Sequence, residues 1–146
     1  MAVSPLKMKN TAVKKDRIFL DANVLFSTAY GSPGLKRFWE LAREGLCLLL
    51  ASGYVVAEAR RNLSDPKHLK NLEDLLSEVQ IISEVVFQIP CPIDLPEKDR
   101  PVFLAALANK ADYLITGDRS HFGKYFGQTI RGIKIRKPKD YFSNRP

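Results

Sequence analysis

Three uninterrupted apolar runs, each too short to make a buried helix, limit most what this chain can become. They are Arg17–Leu20 (RIFL), Leu46–Leu50 (LCLLL) and Tyr113–Thr116 (YLIT). A strand with one wet face alternates polar and apolar residues, whereas a strand covered on both faces does not. Between the runs lie segments of helical period. Ala22–Tyr30 reads as a helix broken by Gly31-Ser32-Pro33-Gly34, and Leu35–Arg43 places Leu35, Phe38, Trp39 and Ala42 on one face. Ser52 is placed to cap a helix running to Leu63. Ser64-Asp65-Pro66 opens another, with Pro66 in its first turn and the face Leu69, Leu72, Leu75, Leu76, Val79. Asp99–Asn109 is a further helix that tolerates Pro101 near its start. Alternation of this kind predicts an α/β fold, a parallel sheet with helices on both faces.

The 146 residues suit one domain. Residues 1–16 read as a flexible basic lead-in and residues 17–146 as the single folded unit. Ser83–Ile89 reads as extended, and Pro90, Pro92 and Pro96 as a stiff linker. Arg119–Phe126 is expected to be a short helix or turn, Ile130–Arg136 one last strand, and Pro138–Phe142 a closing helical turn. Two cysteines make no disulfide scaffold, and no CxxC pair offers a zinc or redox site. No apolar run approaches the 18 or so residues of a membrane span. The basic N-terminus has no apolar stretch behind it, so it is not expected to be a secretory signal.

The net charge of +7 is unevenly placed. Residues 1–17 carry net +4 and residues 119–146 net +7, while the stretch between them carries net −4. Basic ends point to a polyanion partner, most simply nucleic acid, or to a solubilising surface.

The acids of the middle have the more specific positions. In an open parallel sheet, ligands bind beyond the carboxyl ends of the strands. Asp21 follows RIFL directly, and Asp118 follows YLIT by one glycine. Asp99 opens a helix after a crossing that returns to the same edge, and Glu58 lies in the helix after the second strand. Four carboxylates gathered there would repel one another unless a cation sat among them, and an oxygen-rich site suits magnesium or manganese. Each acid also has a plainer role. Asp21, Asp99 and Asp118 can each cap a helix, and Glu58 can be a solvated helix residue. Asp112 is a control: it precedes the strand that Asp118 follows, so the two should lie nearly 20 Å apart at about 3.3 Å per residue.

Four stretches together resemble the PIN domain family: Leu20-Asp21-Ala22-Asn23-Val24-Leu25, Ala57-Glu58-Ala59, Lys98-Asp99-Arg100-Pro101 before an alanine-rich helix, and Ala111-Asp112-Tyr113-Leu114-Ile115-Thr116-Gly117-Asp118. The resemblance runs from about Arg17 to Phe142 and implies a three-layer α/β/α fold. It implies Asp21, Glu58, Asp99 and Asp118 as the catalytic, metal-binding acids, with Asn23 and Thr116 as supporting polar residues. Family members include metal-dependent ribonucleases, among them toxins of prokaryotic toxin–antitoxin pairs. The implied function is therefore hydrolysis of RNA phosphodiesters in the cytoplasm with one or two Mg2+ or Mn2+ ions. The implied partners are single-stranded RNA, an antitoxin protein and a second copy of the chain, with no membrane. Many toxin members end in Asn-x-x-Asp, whereas this chain has Asp118-Arg119-Ser120-His121.

Such a metal site would neutralise charge on the phosphate and activate water, with one carboxylate taking the proton. Arg100 and Arg119 are candidates for holding flanking phosphates, or are ordinary surface charge. His121 is open to a substrate contact or to a capping or packing role. Cys47 is expected to be a buried thiol. The competing readings are a silent RNA- or protein-binding scaffold of the same fold, and another metal-dependent phosphoryl-transfer hydrolase.

Overall fold

The computed structural model describes residues 14–83 and 90–143. Among the described residues six strands form one sheet: β1 (Asp16–Leu20), β2 (Cys47–Ser52), β3 (Gln80–Ile82), β4 (Tyr113–Ile115), β5 (Thr129–Ile130) and β6 (Ile133–Arg136). Their order is β3-β2-β1-β4-β6-β5, and every neighbouring pair is parallel except β5 with β6. Among the described residues seven helices accompany it: α1 (Ala22–Tyr30), α2 (Arg37–Arg43), α3 (Gly53–Arg61), α4 (Pro66–Leu76), α5 (Arg100–Ala108), α6 (Arg119–Phe122) and α7 (Pro138–Ser143). The mostly parallel sheet flanked by helices is the arrangement expected from the apolar runs, and it agrees with the three-layer α/β/α fold that the resemblance implies.

The core explains those runs. Ile18, Phe19 and Leu20 of β1, Leu49 and Leu50 of β2, and Leu114 and Ile115 of β4 are wholly buried. Each contributes about 1.5–3 kcal/mol by leaving water. Helix α1 packs on α3 and α4, and α2 lies against β2. Phe38 of α2 meets Tyr141 and Phe142 of α7 at ring distances of 5.5 and 4.4 Å, so the last helix closes over the core. Trp39 is buried and donates its indole N–H to the Leu75 carbonyl at 3.0 Å. Cys47 is buried.

The helix starts follow their residues. The Ser52 hydroxyl accepts from the Val55 N–H at 3.4 Å, and Asp65 accepts from the Lys67 N–H at 2.9 Å ahead of Pro66. Gly31 ends α1 at φ 123°, and its N–H reaches the Ser27 and Thr28 carbonyls.

Several sequence expectations need correction. Ile130–Arg136 is a hairpin, not one strand: β5 and β6 pair antiparallel across Arg131 and Gly132, at φ 53° and 85°. Two successive positive φ angles make the tight turn whose twist matches the strands. Leu35 lies in a 3-10 turn, Pro33–Lys36, ahead of α2, and α4 ends before Val79. The third strand is Gln80–Ile82; Ser83 follows it, and the rest of the expected extended segment, residues 84–89, lies outside the described residues. So does most of the lead-in expected over residues 1–16, and Asp16 already belongs to β1. Among the described residues no helix is long and apolar enough to cross a membrane.

Candidate metal centre

The strand order fixes where a ligand fits. From β1 the chain moves outward through β2 to β3, then returns to lay β4 on the other side of β1. The crevice at that reversal opens beyond the carboxyl ends of β1 and β4. Register places Leu20 beside Ile115, and the Asp21 N–H donates to the Ile115 carbonyl at 3.0 Å. Asp21 and Thr116, the residues that follow each strand, are therefore neighbours.

A closed polar network joins them. The Thr116 hydroxyl donates to Asp21 Oδ2 at 2.8 Å and accepts from the Asn23 amide at 3.1 Å and the Asp118 N–H at 3.1 Å. Asn23 also donates to Asp21 Oδ2 at 3.2 Å and accepts from the Gly117 N–H at 2.8 Å. Asn23 and Thr116 thus hold the end of β4 against the start of α1. A side-chain Cβ at Gly117 would meet Asn23 Oδ1 at 3.4 Å, a close but ordinary contact.

Capping and clustering coexist in two of the acids. Asp21 Oδ1 accepts from the Ala22 N–H at 2.8 Å, and Asp118 Oδ1 accepts from the His121 N–H at 3.1 Å. Asp99 makes no cap, contrary to the capping role open to it in the sequence. It ends a 3-10 turn, Glu97–Asp99, and is only 9% exposed. Its carboxylate turns inward toward His121 Nδ1, 2.8 Å away, while Asp118 Oδ2 is 3.0 Å from the same nitrogen. One ligand atom each from Asp99, Asp118 and His121 lies within 4.8 Å of the others. Asp21 and Glu58 stand outside that tight group, yet their charges belong to the same field: both Glu58 and Asp99 act on Asp21.

The electrostatics are those of a site short of positive charge. Burial pushes the Asp21 carboxyl up to about 6, opposed by the Thr116 and Ala22 hydrogen bonds and reinforced by Glu58 and Asp99. Burial also raises Asp99; His121 lowers it and Asp118 raises it further. Tyr54 of α3 faces the same acids, and its phenol is raised by burial, then by Glu58 and Asp99. Its hydroxyl donates to the Lys98 carbonyl, tying the turn that carries Asp99 to the helix that carries Glu58.

The donor set fits a divalent cation. Asp99 Oδ2 and His121 Nδ1 are both shielded from solvent, and neither satisfies hydrogen-bond geometry with any described residue. Their 2.8 Å separation is thus closeness without an aligned hydrogen bond. On the Asp118 side of the group lies an open cavity of about 460 Å³ bordered by Asn23, Glu58, Asn62, Gly117 and Asp118. Arg119 is exposed and, with Lys137 and Lys139, borders a neighbouring cavity of about 780 Å³ that also reaches Gly117. Arg100 lines a third with His121 and Lys124, and spends its Nε on the Leu95 carbonyl at 3.1 Å. Asp112 is at the opposite end of the sheet, as expected, where it accepts from the Arg17 N–H at 2.8 Å and meets Lys14 at 3.6 Å. Sequence reasoning left His121 open and overlooked Tyr54. The signal for His121 was its place three residues after Asp118, the spacing at which an N-cap carboxylate accepts from an N–H of the first helical turn.

Solved structures share the fold. One is VapBC2 from Rickettsia felis bound to a DNA fragment from its promoter, with TM-score 0.61 and 18% identity over 83% of this chain and 98% of that one. Another is FitAcB from Neisseria gonorrhoeae, with TM-score 0.51 and 16% identity over 84% of this chain and 98% of that one. No curated protein sequence matches the chain. The model of the PIN domain, a family whose members are typically nucleases, matches residues 17–120. With that match over most of its length, the chain belongs to the PIN domain family.

Proposed function

We propose that this protein is a metal-dependent endoribonuclease whose centre is built from Asp21, Glu58, Asp99 and Asp118. The observation that carries the reading is the convergence of Asp99, Asp118 and His121 ligand atoms beside the buried Asp21, at the reversal point of the sheet. A bound magnesium or manganese ion would neutralise charge developing on a phosphodiester and lower the pKa of a bound water. Asp99 and Asp118 would hold it, and Glu58 borders the same open cavity as Asp118. Asp21 is oriented by Thr116 and Asn23, and as a buried carboxylate at the same sheet edge it would take a proton from the attacking water. Arg119, with Lys137 and Lys139 beside it, offers cations to the phosphates flanking the cleaved bond. Single-stranded RNA is the substrate class that this open, basic-flanked edge and the family resemblance favour. Likeness in fold to VapBC2 and FitAcB supports a place as the toxin of a toxin–antitoxin pair, held by an antitoxin protein.

The test is cleavage of end-labelled single-stranded RNA with EDTA, magnesium or manganese, by the wild type and Asp21→Asn. Cutting that needs the ion and is lost in the variant is expected. Full cutting in EDTA, or by Asp21→Asn, would overturn the assignment.

A further inference from the structure

We infer that His121 is itself a metal ligand through Nδ1, so that the centre offers nitrogen as well as oxygen and prefers manganese to magnesium. The inference rests on the metal-dependent reading above and goes past its four acids. Helix α6 is a single turn capped by Asp118, and His121 is the third residue of that turn. The His121 backbone N–H holds Asp118 Oδ1 at 3.1 Å, which leaves Oδ2 facing the ring. Asp99 approaches from the other side. Nδ1 therefore lies between two carboxylate oxygens, 2.8 and 3.0 Å away.

An imidazolium paired with an acid turns its N–H along one oxygen. Here neither His121 Nδ1 nor Asp99 Oδ2 has an aligned hydrogen bond to a described residue, although both are shut off from solvent. Asp99 is nine-tenths buried and spends no oxygen on capping its helix. Separations near 3 Å are those of adjacent ligands around one ion, since bonds of about 2.1 Å at right angles give about 3 Å. Magnesium favours oxygen and keeps its waters, while first-row transition ions accept imidazole readily. One nitrogen among the ligands therefore shifts the balance toward manganese.

Titrate manganese and magnesium by calorimetry into the full chain, His121→Asn and His121→Asp, and record pulsed EPR of the manganese-loaded proteins. Each substitution keeps the backbone N–H that donates to the Asp118 cap, and thermal melts confirm folding. The wild type should bind manganese more tightly than magnesium and show a directly coupled nitrogen. His121→Asn should lose about 10–100-fold in manganese affinity, the range seen when a ligand's support is removed, with a smaller change for magnesium. His121→Asp should narrow the manganese-to-magnesium ratio and abolish the nitrogen coupling. Manganese bound without nitrogen coupling, at a ratio unchanged by substitution, would overturn the inference, make His121 an ion-pair partner of Asp99, and leave the metal-dependent reading standing. A wild type that binds neither ion would overturn both.

Discussion

The two ends of the sheet carry the same residue type under opposite conditions. At the amino end, Asp112 receives the Arg17 N–H and the Lys14 ammonium, and Asp16 accepts the Tyr141 hydroxyl at 2.8 Å. Each carboxylate there holds chain segments together. At the carboxyl end, Asp21 and Asp99 are buried near other acids, and both hold their protons more tightly than usual. The amino-end acid Asp112 lies beside a cation, whereas Asp21 at the carboxyl end, though it accepts hydrogen bonds from Ala22, Asn23 and Thr116, lies in the field of Glu58 and Asp99. The difference comes from chain geometry alone, since every parallel strand points its carboxyl end at the same edge.

The largest expected effect that separates the ends is on cleavage. Asp118→Asn should reduce metal-dependent RNA cutting by about 100-fold or more, the scale of losing one charge-stabilising group. Asp112→Asn should leave cutting within about twofold and weaken stability by about 1 kcal/mol through its contacts with Arg17 and Lys14. Comparable losses in single-turnover assays would merge the two ends functionally.

Next comes the pH dependence of the metal-free protein. Asp21 titrates near 6 in the folded chain against 3.8 in its absence of structure. Between those values the folded chain keeps a proton that the unfolded chain has released. Metal-free stability should therefore fall as pH rises from about 4 to about 6, by on the order of 2–3 kcal/mol, and change little from this group above that. Asp21→Asn should flatten this slope in urea melts and stabilise the metal-free protein at pH 7 by about 1–2 kcal/mol. The gain is smaller than the slope because an amide nitrogen would face the Asn23 amide. A slope that survives in the variant would place the titration elsewhere.

Metal binding should reverse that deficit. At one hundred times its dissociation constant, manganese should stabilise the fold by about 2.7 kcal/mol, several degrees in Tm for a chain of this length. Asp99→Asn should lose most of this gain, and Asp16→Asn should keep it. The smallest effect concerns the basic rim: Arg119→Ala should lower the salt slope of RNA binding by about 0.7, one phosphate contact on a single strand. An unchanged slope would make Arg119 plain surface charge.

How much of this could be read from residues follows burial. The runs in β1, β2 and β4 are apolar on both faces because helices cover both faces, so the parallel core was legible. Strand β3 was not: Gln80 and Ile81 are exposed on the sheet edge, and only Ile82 is buried. The β5–β6 turn was hidden because Arg131 takes the positive φ usually given to Asn or Asp. The acids at the strand ends were legible from order alone, whereas their pairing was not. No local rule says that Asp99 leaves its helix uncapped, or that the ring of His121 fills the space between Asp99 and Asp118. Both depend on how the turn before α5 meets α6, a contact between segments some twenty residues apart.

The carboxyl edge of the sheet, and not its amino edge, is expected to hold a divalent ion, and calorimetric titration of manganese into the wild type, Asp118→Asn and Asp112→Asn tests this. Saturable binding is expected in the wild type and Asp112→Asn with matching dissociation constants, and binding weakened by about 10-fold or more in Asp118→Asn. Equal affinity in all three proteins, or no binding heat in the wild type, would contradict it.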